Sequence, residues 1–475
     1  MKLVLSGRYG SIPRGWEGQK SESGLSQQGS LTRRFKSKRS VCPTSESRHY
    51  NSFIETCAFP DISLTCHDVS ATTSCMRILI LAPCPFMILR GKPIRVLNNA
   101  LALALDGHRI DIATYAVGKE ISDYLPDEFR EAGERIEIHR GRSGIPLDSD
   151  RPGFSAGKIA NNVALYYLVR RMIRQQRFDA VVCHDADGML LGLTLKRRIG
   201  IPMVYDMHGS LGELMSNIHN SGRPVLAVAG WMERRLYAGA DLILANWPHL
   251  IDVIGDEHAE KSCVVRDRPP VTTTSGSTRT PEQVSWKSEN DVDRLIVYVG
   301  NSAAYQRVEL LIDMMAHLTD QPDRITLCLI GPGLEELQSR ASQYPDADIR
   351  FLGPLYGDEL ARILESADLA LSPRVTVNYP PMKVISYLSA AIPIVATDCS
   401  AHRAMIDHEV TGLLVPPTPD AFAAAVSRLI SDEELRSKLR AKALEQRKSY
   451  SIESLMSELR AALARLTIPL RRPGQ

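Results

Sequence analysis

From Met76 onward, short apolar runs alternate with longer stretches whose apolar residues recur at helical spacing, and this rhythm leaves the chain few folds to choose from. MRILILA (76–82) reads as a strand, and Ile94 to Asp106 as a helix stopped by Gly107 in a left-handed conformation. HRIDIAT (108–114) is a strand again. The pattern continues with a helix from Lys158 to Arg177, the strand DAVVCH (179–184), a helix from Met189 to Ile199, and the strands PMVYDMH (202–208) and DLILAN (241–246). Strands that alternate with helices build a parallel sheet with right-handed crossovers. A second series starts at RLIVYVG (294–300): helix 307–318, ITLCLIG (325–331), helix 334–343, DIRFLG (348–353), helix 357–366 and LALSP (369–373). A helix beginning near Pro381, the strand PIVAT (393–397) and helices over 420–431, 433–447 and 452–465 complete it. The class is α/β, with two doubly wound lobes.

Between the two series lies RDRPPVTTTSGSTRTPEQVSWKSENDVD (266–293), whose Thr, Ser and Pro content reads as a linker. The expected domains are therefore 76–267 and 294–466, a linker over 268–293, a last helix packing back on the first domain, and a loose tail over 467–475. Residues 1–75 are rich in Ser, Arg and Lys without strand–helix rhythm. They read as a disordered tail or as upstream sequence outside the true frame, with Met76 as the start. Lys and Arg number 57 against 55 Asp and Glu, and this balance argues against nucleic acid as a partner. No apolar stretch is long enough for a membrane span. Cys57, Cys66, Cys75 and Cys84 fall at equal spacing but match no zinc-site pattern, and the later cysteines lie in apolar strands, so a reducing cytoplasm is expected.

The chemistry is expected in the segment from Leu371 to Pro417. A loop that enters a helix at the end of a parallel strand binds phosphate, because the first-turn N–H groups are unpaired and the helix dipole favours an anion. Lys383 stands in that first turn, Arg374 ends the preceding strand, and the backbone at Tyr379, Pro381 and Met382 lies between them. Gly300, at the end of the first strand of the second series, allows close approach of a ligand.

Several stretches together resemble the GT-B glycosyltransferases of family 4, in the right order from Met76 to about Leu466. APCPFMILRGKPIRVLNNALALALDGHRIDIATY resembles the N-terminal loop and helix, VVCHDADG and VYDMHG the two mid-domain strand ends, and YVGNSAAYQRVELL the opening of the nucleotide domain. FLGPLYGDELARILESADLALSPR with YPPMKVISYLSAAIPIVAT resembles the donor-binding block. The resemblance implies a GT-B fold of two Rossmann-like domains around a cleft. It also implies retaining transfer of a sugar from a nucleotide-sugar, bound by the C-terminal domain, to an acceptor bound by the N-terminal one, with no essential metal. It places Gly91 and Arg95 at the acceptor side and His208 against the donor sugar, with His184 and Asp185 at the neighbouring strand end. Family members usually carry Arg, Lys and Glu where this chain has Asn301, Gln306 and Ser386; these three are read as donor-site residues of a subgroup.

The expected function is thus a retaining glycosyltransferase acting on a saccharide or lipid-linked acceptor in cell-surface polysaccharide or glycoconjugate synthesis. It is expected in the cytoplasm, with peripheral contact at the inner membrane surface as an added option. Two alternatives stay open: a GT-B protein that binds a nucleotide or sugar without efficient transfer, and a nucleotide-sugar epimerase on the same fold. Asp185-Ala186-Asp187 spells a metal-binding DxD, read here as coincidental. GPG at 331–333 reads as a packing turn rather than a dinucleotide loop, since Glu336 replaces the third Gly. The basic helix end LVRRMIRQQR (168–177) reads as dipole compensation, with anionic lipid as the alternative.

Overall fold

The computed structural model describes residues 75–86, 91–118, 125, 127–142, 156–217, 222–270, 286–319, 322–375 and 381–466. The first expected segment (1–75, apart from Cys75), the tail 467–475 and Tyr379 lie outside the described residues. Two parallel sheets organise the remainder. One has the order β3-β2-β1-β4-β5-β6-β7, the other β10-β9-β8-β11-β12-β13.

In the N-terminal lobe, β1 (Arg77–Ala82), β2 (Arg109–Tyr115), β4 (Ala180–His184), β5 (Met203–Met207) and β6 (Leu242–Ala245) match the apolar runs of the sequence. β3 (Ile136–Gly141) and β7 (Ser262–Val264) are added at the two edges. Only one face of β3 is apolar and only three residues make β7, so neither shows as a continuous apolar run. Helices α1 (Gly91–Leu105), α2 (Ala156–Gln175), α3 (Asp185–Ile199) and α4 (Arg223–Gly239) connect the strands. α3 begins four residues before the expected start, directly at the end of β4, and α4 had no counterpart in the periodicity reading.

In the C-terminal lobe, β8 (Arg294–Val299), β9 (Ile325–Ile330), β10 (Asp348–Gly353), β11 (Leu369–Ser372) and β12 (Ile394–Thr397) alternate with α5 (Val308–Met315), α6 (Gly357–Ser366) and α7 (Met382–Ser389). β13 (Gly412–Val415) closes that sheet, and α8 (Pro419–Ser431), α9 (Glu433–Arg447) and α10 (Ile452–Leu463) follow. The helix expected over 334–343 is shorter: a 3-10 turn over Leu334–Leu337 runs into one helical turn.

Each sheet is buried on both faces. α1 and α10 fill one face of the first sheet, where Leu455, Leu459 and Leu463 pack with Val96, Ala100 and Leu103. Leu165, Val169, Leu195, Leu236 and Tyr237 of α2, α3 and α4 cover the other. α10 thereby returns the chain to the N-terminal lobe, clamped by Arg268, whose Nη2 donates to Glu458 at 2.8 Å. In both sheets the strand order reverses beside the first strand of the lobe, between β1 and β4 and between β8 and β11. A crevice opens at the strand C-termini wherever the connections diverge in this way.

Candidate functional site

Sheet register builds the N-terminal half of the site. His184 ends β4 and lies beside Asp206 of β5. The period of two along an extended chain then brings His208 to the same side as Asp206. His184 Nδ1 stands 2.8 Å from Asp206 Oδ2 and 3.1 Å from His208 Nε2, and His208 Nε2 is 3.3 Å from the same carboxylate oxygen. From α1 above, Arg95 donates through Nε to Asp206 Oδ2 at 2.9 Å and through Nη1 to Asp267 Oδ1 at 2.8 Å. Asn99 adds a further donor to Asp206 at 3.1 Å. Burial alone would raise the Asp206 carboxyl, but Arg95 and His184 hold it well below the usual carboxylate range. Burial lowers His184 and Asp206 only partly opposes this, so the ring is held neutral at neutral pH.

The acceptor-side expectation is redistributed by this geometry. Arg95 is 2% exposed and bonded to two carboxylates and to the Val265 carbonyl, so its guanidinium is a buried brace that ties the strand ends together. Asp185 opens α3 with φ 66°, a left-handed conformation uncommon outside Gly, and its Oδ1 accepts from the N–H of Ala186. Its Oδ2 lies 2.7 Å from Nζ of Lys92, in the first turn of α1. Burial raises Asp185, yet Lys92 and His208 lower it to a net depression, and Asp185 in turn raises Lys92 against its own burial. Here the first carboxylate of the DxD is matched by a lysine.

The C-terminal half is arranged differently. Gly300 follows β8, and a Cβ there would meet Tyr298 Oη at 2.5 Å and Lys383 Nζ at 2.8 Å, so any side chain would displace the tips of both. Lys383 lies in the first turn of α7 with its Nζ 3.8 Å above the Tyr298 ring, and it donates to Gln306 Oε1 at 3.0 Å. Lys383 and Arg374 are only 8% and 5% exposed. Burial, and then the charge of Arg374, push the Lys383 amine well below its ordinary value, with no acid among the causes. Arg374 stacks over the Tyr305 ring at 5.4 Å.

Asn301 turns inward on its own loop, its Oδ1 accepting from Ala303 N–H at 3.2 Å. Ser386 bonds back to the Met382 carbonyl at 3.4 Å, within its own turn. Pro381 caps α7 in an extended conformation. The starts of α1 and α7 meet across the two lobes, since a methyl at Gly91 would sit 3.7 Å from Met382 Cγ. The GPG turn packs against the Gly300 loop: a Cβ on Gly331 (φ 140°) would fall 1.7 Å from the Gly300 carbonyl oxygen.

Three groups were not singled out in the sequence. Asp206 stands two residues before His208, and the period of two was signal enough to pair them. Lys92 follows Gly91 directly, but its partner Asp185 is remote in the chain. Under Arg374, the buried His402 Nε2 lies 2.8 Å from Ser372 Oγ while its Nδ1 donates to the Thr397 carbonyl at 2.7 Å. Burial pushes this imidazole down to about 4, so it is neutral and accepts the Ser372 proton, fixing the end of β11. A separate recess of about 430 Å³ lies at the N-terminal ends of the strands, opposite the crevice, lined by Arg77, Asp111 and Glu137 among others. Its Arg77 already pairs with Asp111 at 2.7 Å.

Two family models cover the chain. One described as "Glycosyl transferase 4-like domain" matches residues 91–256, and one described as "Glycosyl transferases group 1" matches residues 293–432. Phosphatidyl-myo-inositol mannosyltransferase of Mycobacterium leprae is 22% identical over 81% of this chain and 95% of its own length. Alpha-D-kanosaminyltransferase of Streptomyces kanamyceticus is 24% identical over 66% of this chain and 85% of its own. The crystal structure of Anabaena HepE in complex with UDP-glucose superposes with a TM-score of 0.62 at 16% identity, covering 82% of this chain and 100% of that one. The chain belongs to the group 1, family 4-type glycosyltransferases with the GT-B fold.

Proposed function

We propose that this glycosyltransferase takes its sugar from a nucleoside-diphosphate sugar and transfers it with retention to a saccharide or lipid-linked acceptor in cell-surface glycoconjugate synthesis. The observation behind this reading is the buried amine of Lys383. It stands over Tyr298 and Gly300 beside Arg374, at the strand reversal of the C-terminal lobe, and among the described residues no acid offsets its depressed affinity for protons. A diphosphate is the anion that fits two cations and a helix start at such a crevice. Breaking the sugar–oxygen bond leaves charge on the diphosphate, and Lys383 and Arg374 would stabilise it there. Gln306 orients the amine, and Asn301, Ser386, Tyr379 and Met382 are the remaining donor-side residues of this reading.

In the N-terminal lobe, His208 faces the donor sugar and Gly91 with the Lys92–Asp185 pair lines the acceptor side, while Arg95 and His184 hold Asp206 and thereby His208. The departing phosphate can take the acceptor proton on the face it leaves, so no glycosidase-type pair of carboxylates is needed. The two cations supply the charge that a divalent metal would otherwise bring, and activity is expected to survive chelation. The site of action in this reading is the cytoplasm. HepE was crystallised with UDP-glucose, which makes UDP-sugars the first donors to try.

Calorimetry against UDP-, GDP- and ADP-sugars, followed by donor hydrolysis, tests the reading. Binding with slow hydrolysis, lost in Lys383→Met, supports it. Absence of binding to every donor refutes it. Tight binding without turnover on any acceptor favours the non-transferring alternative, which the replaced charges at Asn301 and Gln306 motivate.

A further inference from the structure

The outer face of α2, α3 and α4 has a composition that the donor chemistry does not use. Along α2, Ile159, Val163, Tyr167, Arg171 and Arg174 are exposed and recur every three or four residues, forming one stripe. Ile159 and Tyr167 are 61% and 63% exposed, although both are large apolar or aromatic side chains. On α4, Val228 and Trp231 project likewise, Trp231 at 54%, followed by Arg234 and Arg235, the latter stacked over the Trp231 ring at 5.3 Å. α3 lies between these helices and adds the exposed Leu190.

Topology aligns these features into bands. Each of the three helices runs into the start of its next strand, α2 into β4, α3 into β5 and α4 into β6. All three therefore begin at the end of the sheet where His184 and Asp185 stand. The apolar side chains lie nearer the start of each helix than Arg171, Arg174, Arg234 and Arg235 do, and an exposed Arg223 opens α4. Leu190 is five residues from Asp185, about 7.5 Å along the axis. The apolar band thus borders the catalytic crevice, and those four arginines lie further from it.

Charge decides what covers the face. α2 contains no acidic residue at all. The single acid of α4, Glu233, is buried and accepts from Leu211 N–H at 2.6 Å. The acids of α3, Asp185 and Asp187, lie in its first turn, and its Lys196 is paired with Asp241. A second copy docked about a two-fold axis running along the helices would set these arginines against their equivalents. An anionic lipid surface offers phosphates to the arginines and a headgroup region that suits Trp and Tyr beside aliphatic side chains. We infer that the α2–α3–α4 face docks the N-terminal lobe on an anionic bilayer, seating the apolar band among the headgroups at the lip of the crevice. This deepens the acceptor side of the proposed function, because an acceptor held in the membrane would enter the crevice from that lip. Among the described residues no helix is long and apolar enough to cross a membrane, so the contact is peripheral.

The test is vesicle flotation of the full chain with phosphatidylcholine alone and with phosphatidylglycerol added. The protein should float with the mixed vesicles and remain behind with the neutral ones, and binding should fall as salt shortens the Debye length from about 10 Å to 3 Å. Each arginine removed should weaken partition about fivefold, so Arg171→Gln with Arg174→Gln should cost roughly thirtyfold. Tyr167→Ser with Trp231→Ser should weaken it as well, whereas Lys438→Gln with Lys442→Gln on α9 should change nothing. Equal flotation with both vesicle types, or flotation indifferent to the four substitutions on the face, overturns the inference. So does a dimer in light scattering that Tyr167→Ser with Trp231→Ser dissolves, since the occupant would then be a second copy. Donor calorimetry on the same preparations keeps the two readings apart, because vesicle binding needs no donor and donor binding needs no vesicle.

Discussion

In the N-terminal lobe, the cations of α1 meet carboxylates: Arg95 meets Asp206 and Asp267, and Lys92 meets Asp185. In the C-terminal lobe, Lys383 occupies the equivalent first turn of α7 and meets an amide oxygen and an aromatic ring instead. Both lobes bring buried positive charge to a strand reversal; among the described residues carboxylates meet Arg95 and Lys92, and none meets Lys383. A buried ion pair, once formed, holds a structure in register; a buried cation without an acid destabilises its surroundings until an anion arrives. The first lobe is therefore organised as a fixed floor, while the second keeps a buried amine that no carboxylate among the described residues offsets.

The largest expected effect would break the floor. Arg95→Met leaves Asp206 and Asp267 buried without their cation, and loss of one partner of such a pair costs about 3–5 kcal/mol. Chemical denaturation should show that loss; a change under 1 kcal/mol would mean that the network is not holding the lobe. Lys383→Met should behave in the opposite way. Donor affinity should fall about ten- to a hundredfold, as the loss of one charge-assisted bond would require, while the ligand-free melting temperature rises by about 2–4 °C per kcal/mol of relieved desolvation. A mutant less stable than its parent would contradict the uncompensated charge.

Gly300→Ala would push a methyl against the Lys383 amine and the Tyr298 hydroxyl. Calorimetry should register up to about a tenfold loss of donor affinity, within the few kcal/mol typical of overpacking, and an unchanged value would place the diphosphate elsewhere. The pH dependence sharpens the comparison with the smallest effects. The folded-state value of Lys383 is depressed, so the unfolded chain binds more protons below the ordinary lysine range. Ligand-free stability should rise with pH from the depressed value up to about 10.5, while donor affinity falls over the same interval as the amine loses its proton. Asp206, also depressed but an acid, contributes stability above about 3.9 that is lost as pH falls through its lower folded value. His402 is a base lowered to about 4, so stability is lost as pH falls from about 6.5 toward that value. Denaturation midpoints across the pH range would expose any reversal of these slopes.

Much of the architecture was legible because periodicity is local. The runs from RILILA to IVAT fall on β1, β2, β4 to β6 and β8 to β12 within a residue or two, since a strand buried on both faces must be apolar throughout. β3, β7 and β13 escaped for the complementary reason: edge or very short strands need no long apolar run. α4 escaped too, and its sequence VLAVAGWMERRLYAG shows why. Apolar residues on its outward face blur the helical stripe, so its core face was hidden by the same side chains that make its exterior unusual. The placing of Lys383 at a helix start and of Arg374 and Gly300 just past strand ends could be read from the sequence, whereas the use of Arg95 as a brace could not.

The sequence by itself determined two parallel-sheet lobes, their strand succession and the placing of cations where helices begin, because those follow from patterns within some twenty residues. Only tertiary structure decided which cations are neutralised. Arg95 finds Asp206 across 111 residues and Asp267 across 172, while Lys383 finds Gln306 across 77. Coulomb energies depend on distance in space and on burial, and neither is encoded in local spacing.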